Sequence, residues 1–239
     1  FSVIAVVAYH IFPSYLPGGY IGVDVFFVIS GFLITKLIIE ALEDGSFSFV
    51  EFYRRRILRL FPALLVVVLF SFVLGGFFLL QDELRQLGKY AVSGLLFSAN
   101  LMLHREGSYF DGSSEDKPLL HLWSLGVEEQ FYMTWPICLI LIVRFFKADT
   151  LTIFVLVVFL FSFSLTAVDA KSGFYLPYYR FWEFVFGAWI ATLTLSREVK
   201  AHAQVSDHMI SVVGWFILFF AVVGYSPDLT YPGYWAVPV

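Results

Sequence analysis

The sequence predicts an all-α fold: a polytopic bundle of transmembrane helices, about eight spans in a single domain covering residues 1–239. Three observations carry this. Of 239 residues, 59% are hydrophobic and only 14% charged, where soluble domains hold about 25% charged residues. Apolar runs approaching the roughly 20 residues needed to cross a hydrocarbon layer recur along the chain. Turn-forming residues separate them, and an unpaired backbone amide is intolerable in lipid, so each run is expected to be helical.

The expected spans are 1–13, 20–42, 57–80, 89–103, 122–146, 150–168, 178–196 and 208–224. Between them lie PGG at 17–19, DGS at 44–46, Gln81 to Gly88, the polar run Arg105 to Pro118, Asp169 to Gly173, and Arg197 to Asp207. The first run, FSVIAVVAYHIF, is short: about 18 Å of helix against a core of roughly 30 Å. No basic region precedes it, so it does not read as a signal peptide. At the other end YPGYWAVPV stops as a new apolar segment opens, and the chain is expected to be a fragment lacking both ends. Span 89–103 is short enough to be tilted or partly re-entrant. The 29 Phe residues are spread through all spans and fit lipid contact and helix packing.

Orientation rests on basic residues at span ends. Loop 44–56 ends in Arg54, Arg55 and Arg56, with Arg59 just beyond, and is expected in the cytoplasm. The PGG turn then lies on the opposite side, with His10 and Asp24 toward it.

Composition excludes some chemistry. A single cysteine, Cys138, rules out an intrachain disulfide and a Cys-based zinc site. The five histidines show no HExxH spacing, so no metal and no bound cofactor are expected. Nucleic acid is not an expected partner.

Several ionisable residues sit where lipid should make them costly, and such residues are functional candidates. His10 closes the first run; imidazole takes and returns protons near neutral pH, although a neutral His bonded to a neighbouring helix would also fit. Asp24 falls about one turn into the second span, where the helix dipole favours an anion; it is also a candidate to orient His10, as a carboxylate orients a catalytic imidazole. Ser30 and Gly31 within that span suit close helix packing.

The stretch FYRRRILRLFPAL, residues 52–64, places Arg56 and Arg59 three apart, and Arg55 and Arg59 four apart, on shared helix faces. Arginine suits bidentate phosphate binding; topological anchoring with contact to anionic membrane lipids is the alternative.

In HLWSLGVEEQFYMTWP, residues 121–136, Ser124 is a candidate helix cap ahead of Glu128 and Glu129. Glu128, Tyr132 and Trp135 follow i, i+4, i+7 spacing. Two adjacent carboxylates can supply a general base or hold a substrate hydroxyl, or simply sit in a capped interfacial helix with an aromatic belt. Arg180 and Glu183, three apart, read as a structural intrahelical ion pair. His121 and Asp111 are loop residues without decisive context, and PDLTYPGYW at 227–235 is a loop rich in turn formers.

The order YHIFPSYLPGGYIGVDVFFVISGFLIT, FYRRRILRLFPALL, LHLWSLGVEEQFYMTWP, YYRFWEFVFGAWIA, YPGYWAV resembles the bacterial acyltransferase 3 family of integral-membrane O-acyltransferases, across nearly the whole chain. The resemblance implies a domain of roughly ten helices in the bacterial cytoplasmic membrane. It implies transfer of an acyl group, commonly acetyl from cytosolic acetyl-CoA, to a hydroxyl of lipopolysaccharide, peptidoglycan or another exported glycan or lipid-linked sugar. His10 matches the family's essential His, Arg56 and Arg59 its Arg-x-x-Arg motif facing the CoA donor, and Glu128 and Glu129 its acidic pair. The family's basic residue eleven positions before the His would fall upstream of Phe1. A rival from another class is a glycan or lipid-linked sugar transporter, whose polar residues would line a path; against it, no pair of Gly/Pro-interrupted spans occurs in matching halves.

Overall fold

A computed structural model describes residues 1–107, 117–146, 148–195, 205–226, 229 and 231–238. Asp111 and most of the run 197–207 lie outside them, as do residues 227, 228 and 230. The described chain is all-α, without strands. Its helices are α1 (Ser2–Ile11), α2 (Gly22–Glu43), α3 (Phe49–Phe78), α4 (Gln81–Leu95), α5 (Ala99–Glu106), α6 (Leu122–Phe145), α7 (Ala148–Val168), the single turn α8 (Ala170–Gly173), α9 (Pro177–Leu195) and α10 (Val205–Gly224). Three segments among the described residues are long and apolar enough to cross a membrane: Gly19–Glu43, Phe49–Phe78 and Thr150–Val168.

α2 and α9 form the centre, flanked by α1, α6 and α7. The two central backbones touch: a Cβ on Gly31 would collide with the Phe184 carbonyl, and one on Gly187 with that of Val28. Small residues at such a crossing let dispersion and backbone packing hold helices together where lipid supplies no hydrophobic drive. The ring of Phe184 stacks on Phe27 and on Phe131, each at 4.5 Å, joining α2, α9 and α6. At the PGG turn, Gly19 and Gly22 lie against the carbonyls of Ala5 and Ser2, so α1 folds back closely on the start of α2. Away from this core, α3, α7 and α10 expose Leu69, Phe70, Phe77, Leu160, Phe161, Phe216 and Phe220, an apolar surface suited to lipid.

Three expectations are corrected. The third helix begins at Phe49, not 57, because Ser48 caps it by accepting from the Glu51 amide; the basic cluster therefore lies on its first turns, not in a loop. The expected span 89–103 is two helices. α4 starts at Gln81, takes in residues read as a connector, and ends in a left-handed residue, Phe97 (φ 51), whose amide bonds to the Gly94 carbonyl while that of Ser98 bonds to Ser93. This is a Schellman-type stop, held because Gln130 Nε2 donates to the Phe97 carbonyl at 2.8 Å. Ser124 is not the cap of α6: the helix starts at Leu122, and the Ser124 hydroxyl donates to the His121 carbonyl at 3.1 Å.

Candidate active site

Two polar clusters lie inside the bundle and a third group lines a groove at its edge. The first joins α2, α3 and α6. Glu128 and Glu129 are buried despite their charge, and Arg56 reaches both: Nη2 lies 3.8 Å from Glu128 Oε1, and Nε 3.5 Å from Glu129 Oε1. The guanidinium carbon of Arg56 stands 3.3 Å from the centroid of the Tyr132 ring. Glu128 Oε1 also accepts from the Ser30 hydroxyl at 2.8 Å and from the Tyr132 hydroxyl. The i, i+4 spacing of Glu128 and Tyr132 brings them together as the sequence predicts. Trp135, the third member of that stripe, instead donates through Nε1 to Thr35 Oγ1 at 2.8 Å, tying α6 to α2.

The arginines divide by environment. Arg54 and Arg55 are exposed and held by Glu51, at 2.7 and 2.6 Å. Arg56 is mostly buried and committed to the acid pair. Arg59, exposed one turn further along α3, makes no close carboxylate contact among the described residues, and its charge reaches Glu128 only at longer range. Two grooves meet around Arg56 and Arg59: one of about 490 Å³ reaches Ser30, Glu128 and Tyr132, the other of about 410 Å³ reaches Ser46, Ser48 and Arg55.

The second cluster is sealed. Arg180, fully buried, places Nη1 3.0 Å from Asp24 Oδ1 and 3.0 Å from Glu183 Oε1. Phe27, Trp123 and Phe174 stand around the guanidinium, their centroids 5.1–5.7 Å away. The expected Arg180–Glu183 pair is present, and Asp24 joins it. Asp24 does lie in the first turn of α2, but its carboxylate is engaged with α9, whereas His10 is exposed at the end of α1.

His10 lines a groove of about 480 Å³ together with His121, Ser124 and Phe26. His121 is exposed at the start of α6, yet neighbouring protein displaces part of its hydration. That desolvation, and secondarily the charge of His10, push its imidazole below the ordinary histidine value. Phe26 also lines the Glu128 groove, so the two grooves adjoin.

Sequence reasoning singled out His10, Arg56, Glu128 and Glu129 but gave no role to Ser30 beyond packing and left His121 without context. The signal for His121 was its spacing: seven residues before Glu128, on the same α6 face. Asn100 was missed. Fully buried, it bonds through Nδ2 to the Tyr175 carbonyl at 3.1 Å and accepts from Gln130 at 3.0 Å; a lone Asn at a helix start gives no pattern to read. No cluster of metal-ligating side chains occurs among the described residues.

An apolar helical bundle holding arginines and carboxylates in its interior, beside grooves that run to its edge, is the frame of a membrane protein with chemistry inside it. The chain belongs to the acyltransferase 3 family: the family profile, described as an acyltransferase domain, matches residues 1–239. It is similar to an uncharacterized protein of Haemophilus influenzae, 35% identical over 82% of this chain and 84% of that one. It is similar to the peptidoglycan O-acetyltransferase OatA of Listeria monocytogenes, 38% identical over 61% of this chain and 24% of the relative. It is also similar to the O-acetyltransferase OatA of Staphylococcus aureus, 30% identical over 98% of this chain and 41% of the relative. The chain thus spans well under half the length of these two named O-acetyltransferases. No solved structure matches it.

Proposed function

We propose that this chain is the membrane domain of a bacterial O-acyltransferase, inserted as a multi-pass bundle in the cytoplasmic membrane. It would move an acyl group, acetyl by analogy with the relatives' names, from cytosolic acyl-CoA to a hydroxyl of a cell-envelope glycan or lipid-linked sugar. The observation that carries this reading is the face of α2. Gly22, Val23 and Phe26 wall the His10 groove, Phe26, Ser30 and Leu33 the Glu128 groove, and Ile34, Leu37 and Ala41 the groove beyond it. From Gly22 to Ala41 is about 28 Å of helix, close to the roughly 30 Å of a hydrocarbon core. One wall thus accompanies a path from an arginine-lined mouth to a histidine.

In this reading the positive-inside rule sets the Arg54–Arg59 end in the cytoplasm. Arg59 and Arg55 carry the donor's phosphates, since arginine matches phosphate geometry. Arg56 holds the acid pair. His10 removes the proton from the acceptor hydroxyl as its oxygen bonds to the acyl carbon; the carbon–sulfur bond breaks and CoA leaves as thiolate. Glu128, fixed by Ser30 and Tyr132, and Glu129 shape the site that receives the thioester.

The test uses the full-length protein in membranes with radiolabelled acetyl-CoA, following label in the extracted glycan. Wild type labels glycan, His10→Ala does not, and Arg59→Ala labels only at raised donor concentration. Glycan labelling by His10→Ala at the wild-type rate would remove the base assignment. Glycan export that proceeds without any thioester would favour a transporter.

A further inference from the structure

His121 is the ionisable residue of the His10 groove that this scheme leaves unused. It occupies the position before α6, where the Ser124 hydroxyl bonds its carbonyl at 3.1 Å and fixes the backbone. α1 brings His10 to the same groove, and α2 supplies only Gly22, Val23 and Phe26, none of them ionisable. The groove therefore presents two imidazoles from different elements, with Ser2 and Ser124 the other polar side chains in a lining of valine, isoleucine, phenylalanine and glycine.

We propose that His121 is the second proton-handling residue of this groove, receiving the proton that His10 takes from the acceptor hydroxyl and passing it to water at the open rim. The inference rests on the assignment of His10 as base. The step balances simply: the hydroxyl proton bonds to a His10 ring nitrogen, then to a His121 ring nitrogen or through one water to it, and then leaves as hydronium, returning both rings to neutral. Two imidazolium ions sharing one groove repel, so protonation of one ring disfavours protonation of the other. Desolvation lowers the proton affinity of His121, and its exposed position lets it release a proton to water.

The experiment measures acyl transfer by the full-length protein in membranes, comparing wild type with His121→Gln, His121→Gly and His10→Ala. Removal of a general acid–base group costs on the order of 10²-fold in turnover, so both His121 variants should lose about that with an unchanged donor KM. Imidazole added to His121→Gly should restore part of the turnover, because the vacated position opens to solvent. Full turnover in His121→Gln beside an inactive His10→Ala overturns the proposal and leaves the base assignment intact. So does a loss expressed as raised donor KM that imidazole does not rescue, the mark of a structural role. An active His10→Ala removes the base assignment itself, and this inference with it.

Discussion

Asp24 Oδ1 and Arg180 Nη1 meet at 3.0 Å across the junction of α2 and α9, and both side chains are shut away from the surface. Glu183 completes the contact from one turn along α9. Buried pairs of this kind owe little net stability to attraction, because desolvation opposes it, yet removing one partner strands the others. Arg180→Met should therefore cost about 3–5 kcal/mol and lower the thermal transition of the purified protein, read by size-exclusion recovery after heating. The triple replacement Asp24→Leu/Arg180→Met/Glu183→Leu should be less harmful than Arg180→Met alone. A triple variant worse than each single change would show that the ions themselves hold the helices together.

Arg56 and Arg59 differ in a way that kinetics should separate. Arg59 makes no close carboxylate contact among the described residues and reaches Glu128 only at longer range, so Arg59→Ala should mainly raise the donor KM and lower kcat less than Arg56→Ala does. Arg56 is stacked on Tyr132 and shared by two carboxylates, so Arg56→Ala should reduce kcat as well. Arg56→Lys should not restore it, because an ammonium reproduces neither the planar stacking nor the fork. Equal KM effects from both alanine variants would remove the distinction.

The hydroxyls on Glu128 lend themselves to a double-mutant cycle. Hydrogen bonds to charged groups contribute roughly 1.5–3 kcal/mol. Tyr132→Phe keeps the ring beneath Arg56 and deletes only the hydroxyl, so transfer should slow with little change in donor affinity. Combined with Glu128→Gln it should cost less than the sum of the two. Strict additivity in the measured rates would mean that the hydroxyl does not act through Glu128.

Much of this was legible in the sequence, and the parts that were not have physical reasons. Helix bounds for α6, α7 and α9 follow from apolar length, and the Glu128–Tyr132 contact from helical spacing. The break at Phe97 was hidden because a left-handed residue there is normally glycine; the bond that holds it comes from Gln130, on another helix. Asp24 looked available to His10 because both flank the PGG turn, but its partner lies on α9, and a pairing across so much chain leaves no periodic trace. That His10 and His121 line one groove was unreadable for the same reason.

The depressed proton affinity of His121 fixes the sign of a stability effect. Its folded value lies below the ordinary 6.5, so between the two the unfolded chain binds more protons than the folded one. Stability should fall as pH drops from 6.5 toward the folded value, and level off below it. The facing titratable group in the groove is His10, from α1; the residues from α2 carry no charge. Thermal transitions of detergent-solubilised protein between about pH 7.5 and about pH 5, which spans the usual His range, should therefore slope more steeply for wild type than for His121→Gln. Identical slopes would show that His121 titrates as it does in water.

The glycine contact between α2 and α9 carries a mechanical consequence. With Gly31 seated on the Phe184 carbonyl and Gly187 on that of Val28, a side chain at either position would wedge the two helices apart. The pair is the spine of the bundle, and α1, α3 and α6 are the helices that bring His10, the arginines and the carboxylates to its surface.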